Sequence, residues 1–93
     1  MVKNARAHIY VSGKVQMVFF RASVLKKAIS FGLKGFVRNT FDNKVEAVFE
    51  GEKKKIEEII NWSKIGPRLS VVKKVDVFWE GYQNEFKDFK INS

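Results

Sequence analysis

The chain has 93 residues, 45% hydrophobic and 14% aromatic, which suits one modest packed core and excludes an intrinsically disordered tail. It has no cysteine, so disulfides, thiolate zinc sites, iron–sulfur clusters and cysteine nucleophiles are all excluded. Lys and Arg number 18 against 10 Asp and Glu, and the resulting formal charge of +8 attracts anions: phosphorylated small molecules, nucleic acid or acidic membranes.

Residues Arg6–Gly13 alternate, with Ala7, Ile9 and Val11 on one side and His8, Tyr10 and Ser12 on the other, which predicts a strand. Gly13–Phe20 is apolar without a helical stripe and reads as a loop. Ala22, Leu25, Ala28 and Ile29 then recur at helical spacing, and Gly32 ends that helix as a left-handed cap followed by the apolar Leu33. Lys34–Thr40 predicts a second strand, Phe41–Lys44 a turn, and Val45–Glu50 a third strand with Val45, Ala47 and Phe49 on one side. Gly51-Glu52 opens a second helix whose buried face is Ile56, Ile59, Ile60 and Ser63, stopped by Gly66-Pro67. Val71–Glu80 is a fourth strand and Phe86–Ile91 a short fifth.

The order β-α-β-β-α-β with an extra strand predicts an α+β, ferredoxin-like split βαβ fold over residues 1–93 as a single domain. An antiparallel sheet of four or five strands would carry both helices on one face. No apolar run approaches the ~20 residues of a membrane span, and the start of the chain lacks the apolar core of a signal peptide. The reading is a cytoplasmic monomer with no membrane association.

Conventional catalytic machinery is sparse. His8 is the only histidine, mid-strand, and reads as structural or surface. No His or carboxylate pair has ligand spacing, so no metal and no cofactor is expected. The serines lack a nucleophile-elbow context, and the acids fall on faces predicted to be solvated, as does Lys53-Lys54-Lys55.

What remains is an anion site. The segment Gly13–Arg21 joins a strand to a helix, where successive backbone N–H groups can form a nest and the first helical N–H groups carry partial positive charge. Arg21, at the first helical turn, adds a permanently charged fork that fits phosphate oxygens. Asn39 ends the second strand; its amide both accepts from and donates to water, or simply begins the turn.

Two segments together resemble the acylphosphatase family. Its first motif, Gly-x-Val-Gln-Gly-Val-x-Phe-Arg, aligns with Gly13-Lys14-Val15-Gln16-Met17-Val18-Phe19-Phe20-Arg21. Its second aligns with Gly35-Phe36-Val37-Arg38-Asn39, then Asn43 in a Gly place, Val45 and Gly51. Similarity continues through Trp62, Gly66-Pro67, Val75-Asp76-Val77 and Glu85–Ile91. The resemblance implies cofactor-free hydrolysis of acyl phosphates, small-molecule mixed anhydrides, to carboxylate and orthophosphate, with inorganic phosphate as product and competing ligand. Carried over by position, Arg21 binds the phosphate with the backbone amides of Val15, Gln16, Met17, Val18, Phe19 and Phe20, and Asn39 orients the attacking water.

Asn43 for Gly is a mild departure, since Asn accepts left-handed turns. Met17 for Gly is larger: a left-handed Met costs about 1–2 kcal/mol, and its side chain is placed to crowd the cradle or to change the loop shape. Two alternatives accompany this reading. One is a catalytically weakened acylphosphatase-like domain that only binds anions. The other is a single-stranded RNA-binding module, which shares the element order and whose motifs Ile9–Gly13 and Lys34–Val37 resemble, although the second falls on the wrong strand.

Overall fold

A computed structural model describes residues 2–92. Its elements are β1 (Asn4–Lys14), α1 (Phe20–Ser30), β2 (Lys34–Asn39), β3 (Val45–Glu52), α2 (Lys53–Ser63), β4 (Val71–Glu80) and β5 (Phe89–Ile91). The sheet runs β4-β1-β3-β2-β5, so each helix crosses over a strand inserted between the two it connects. This is the expected ferredoxin-like arrangement. Its β5 edge lies parallel to β2, while the other pairings are antiparallel.

Register places the apolar side chains in rows across the strands. Ile9 stands opposite Val77 and Ala47, and Val37 opposite Ala47 and Ile91. Ala7, Ile9, Val11, Val45, Ala47 and Phe49 all join the buried core against the helices. On α2 the buried residues are Ile56, Ile59, Ile60 and Ser63, as the spacing predicts. The Ser63 hydroxyl donates to the Ile59 carbonyl at 2.8 Å, which satisfies a polar atom inside the core.

The face of α1 differs from expectation. Its buried residues are Phe20, Val24 and Ala28, whereas Ala22 and Ile29 are exposed and Leu25 is half-buried. The helix begins at Phe20, whose ring packs on Trp62 with centroids 5.7 Å apart. That anchor selects the i, i+4 line through Phe20 as the inward one. The C-terminus follows the expected cap: Gly32 takes φ 69°, and the Gly32 and Leu33 N–H groups donate to Ile29 and Ala28 carbonyls at 3.0 and 2.9 Å.

The opposite face of the sheet corrects a second expectation. Glu46 and Glu50 on β3 are only 6% and 2% exposed, not solvated. Glu50 accepts from the Gln83 and Glu85 N–H groups, each at 2.8 Å, and pins the β4–β5 connection across this face. Arg6 meets Glu50 at 3.5 Å, Glu80 at 2.8 Å and Glu85 at 2.7 Å. Glu46 pairs with Arg38 and accepts from His8 at 2.6 Å and Tyr10 at 3.2 Å. His8 therefore has partners in a polar network on the sheet.

Candidate active site

A bulge between Ser12 and Gly13 bends β1 where it leaves the sheet. Gly13 has φ 125°, and a Cβ there would lie 2.1 Å from the Val71 carbonyl oxygen, so a side chain is incompatible with this approach of β4. The segment from Val15 to Phe19 then crosses to α1. Val15 and Val18 are buried and anchor it. Met17 and Phe19 both adopt left-handed conformations, φ 60° and 61°, with Val18 between them. Alternation of this kind turns successive N–H groups toward one concavity.

Met17 thus takes the left-handed conformation that a glycine would supply without strain. Its side chain is 98% exposed and leaves the cradle clear. The second left-handed residue, Phe19, was not expected, because a bulky aromatic gives no sequence signal for positive φ. Left-handed non-glycine residues cost about 1–2 kcal/mol each, and such strain gathers where function needs a fixed backbone.

The helical ladder of α1 opens with the Ser23 N–H donating to the Phe19 carbonyl at 3.0 Å. Among the described residues, no N–H from Gln16 to Ala22 donates to a protein acceptor. Arg21, half-buried in the first turn, makes no ion pair with any described carboxylate. Arg21 and Asn39 border one cleft of about 400 Å³, whose other walls are Val15, Met17, Phe19, Phe20, Ala22 and Ile91. No carboxylate lines it. The Oδ1 of Asn39 is buried and accepts no hydrogen bond from any described donor.

Tertiary structure thereby brings together the two segments that the sequence could only set side by side. The link is Gln16, whose Nε2 donates to the Thr40 and Lys44 carbonyls, both at 3.0 Å. Those carbonyls belong to the β2–β3 turn just past Asn39. Sequence reasoning assigned Gln16 only through its backbone amide and missed the tethering role of its side chain. Among the described residues no group of three or more His, Asp or Glu is placed to hold a metal.

The profile of the Acylphosphatase family matches residues 7–91. The chain belongs to the acylphosphatase family. Relatives named acylphosphatase include one from Pyrobaculum islandicum, 47% identical over 97% of this chain and 96% of its own. One from Pyrobaculum aerophilum is 50% identical with the same coverage. The acylphosphatase structure from Coxiella burnetii superposes with a TM-score of 0.90 at 37% identity, covering 96% of this chain and 93% of that one.

The acylphosphatase assignment leaves the two alternatives without support. An RNA-recognition sheet stacks bases on aromatic side chains of its open face. Here the central strands of that face carry the Glu46 and Glu50 networks, and the β4–β5 connection is bound to Glu50.

Proposed function

We propose that this acylphosphatase hydrolyses acyl phosphates at the Arg21–Asn39 cleft, with the amides of Val15 to Phe20 and the Arg21 guanidinium holding the phosphoryl oxygens. The carrying observation is the run of N–H groups from Gln16 to Ala22 without protein acceptors, beside an unpaired Arg21. A dianionic phosphoryl group supplies the acceptors and the countercharge that this arrangement lacks.

Asn39 supports the water-orienting role. Its Oδ1 is an acceptor without a protein donor at the cleft wall. Accepting one O–H of a water turns that water's lone pair toward phosphorus. The water oxygen bonds to phosphorus as the bond to the acyl oxygen breaks, and the electron pair leaves with the carboxylate. A carboxylate leaves without a general acid. Arg21 stays protonated and is no base; in the proposed step, as the family resemblance implies, a phosphoryl oxygen takes the water's proton. Catalysis is then positioning plus stabilisation of charge on the phosphoryl oxygens.

The same reading takes the chain as one domain and a monomer of the cytoplasm. The family match over residues 7–91 supports the first point. No described helix is long and apolar enough to cross a membrane.

The test is hydrolysis of benzoyl phosphate in the presence of a chelator, followed in the ultraviolet with inorganic phosphate as competitor. Turnover inhibited by phosphate and abolished by Arg21→Ala is expected. Parent-like turnover in Arg21→Ala would overturn the assignment.

A further inference from the structure

The residues lining the cleft are of two chemical kinds. Arg21 and Asn39 carry polar side chains. Met17, Phe19 and Ile91 carry apolar ones, which remain 98%, 77% and 40% exposed. Exposed apolar surface gathered beside a polar site marks a place where apolar matter docks. Among the residues lining the cleft, Arg21 is the only charged one.

A mixed anhydride committed to the cradle by its phosphoryl group leaves its acyl group at the cleft walls. Resting on the function proposed above, we propose that Met17, Phe19 and Ile91 form an acyl subsite that selects uncharged, apolar acyl groups over acyl groups bearing a second anion. An apolar acyl chain covers side chains that otherwise face water. A second carboxylate or phosphate on the acyl group would be desolvated against these side chains with no second cation in the lining. Met17 contributes most distinctively, since the glycine of the family motif would offer no side chain there. Its unbranched, polarisable thioether adapts to acyl groups of different shape.

The experiment compares kcat/KM for acetyl, butyryl, benzoyl and 4-carboxybenzoyl phosphate at about 0.15 M ionic strength, where long-range attraction to the basic chain is screened. Butyryl phosphate should exceed acetyl phosphate by about 3–10-fold, the benefit of two methylenes buried in a half-open site. Benzoyl phosphate should exceed its 4-carboxy analogue by about 10-fold or more, the penalty for an unpaired anion. Ile91→Thr should lower the butyryl and benzoyl values by a larger factor than the acetyl value. Met17→Gly should lower the butyryl-to-acetyl ratio. Equal kcat/KM for all four substrates in the parent, or unchanged ratios in both variants, would overturn the acyl subsite alone. Absence of hydrolysis of every acyl phosphate would overturn the proposed function and the subsite with it.

Discussion

Arg21 sits where a permanent charge, a helix N-terminus and a run of unpaired N–H groups meet, and in the function proposed above its fork geometry matters as much as its charge. Arg21→Lys keeps the charge but loses the second parallel hydrogen bond. Steady-state kinetics should show Arg21→Lys and Asn39→Ala each lowering kcat by about 10²–10³-fold, the range for removing one preorganised partner. Circular dichroism of both variants should match the parent. Met17 makes the opposite kind of statement. Its left-handed backbone is strained and its side chain buries nothing. Replacing it with glycine relieves that strain and adds some unfolded-state entropy, for a net gain of about 0.5–1 kcal/mol in urea unfolding. A destabilised Met17→Gly would show that the side chain contributes packing that its exposure does not reveal. Arg21 and Asn39 were picked out by the motif resemblance, since both lie in short contiguous segments, and the roles given to them are those proposed above. The left-handed Phe19 was not picked out, because an aromatic residue carries no local preference for positive φ.

At the scale of elements, the loop between β1 and α1 is held at two points. The first is the close approach of Gly13 to β4. Gly13→Ala pushes a methyl into the Val71 carbonyl and should destabilise by about 2–3 kcal/mol in denaturant unfolding. The second is the Gln16 tether to the β2–β3 turn. Gln16→Ala removes two hydrogen bonds and should lower stability by about 1–2 kcal/mol. It should also raise the inhibition constant for inorganic phosphate, because the amides lose their fixed aim. Unchanged phosphate inhibition in Gln16→Ala would show that the buried Val15 and Val18 alone hold the cradle. The strands and α2 were legible because their apolar residues keep strict periods. The face of α1 was not, because several apolar stripes compete within Phe20–Ser30 and packing of Phe20 on Trp62 decides between them.

For the molecule as a whole, the helices cover one face of the sheet and a charged network covers the other. Burial would raise the Glu50 carboxyl. Hydrogen bonds from the Gln83 and Glu85 N–H groups and the nearby Arg6 outweigh it and hold the carboxyl below its ordinary value. Burial opposes the charge on Glu46 likewise, and His8 and Arg38 outweigh it. Both groups are easier to protonate in the unfolded chain, so their stabilisation is fully present above the ordinary value of 4.5. It is lost as pH falls from there through the lowered folded values. Urea midpoints should therefore be flat from neutral pH to about pH 5 and fall below it. Glu50→Gln should reduce stability at neutral pH by about 3 kcal/mol, since it leaves Arg6 and two N–H groups poorly matched. The same variant should flatten the acid limb. An unaltered acid limb would mean that other carboxylates dominate acid unfolding.

The sequence by itself determined the element order, the alternation that makes each strand two-faced, and the two short segments that hold Arg21 and Asn39. These are local properties, written in residue spacing. Only the tertiary structure decided that Gln16 ties those segments together, that the buried Asn39 Oδ1 belongs to the cleft Arg21 borders, and that Glu46 and Glu50 are enclosed by partners from elsewhere in the chain. Each of these depends on register between strands far apart in the chain, and a side chain's partners exist only once that register is set.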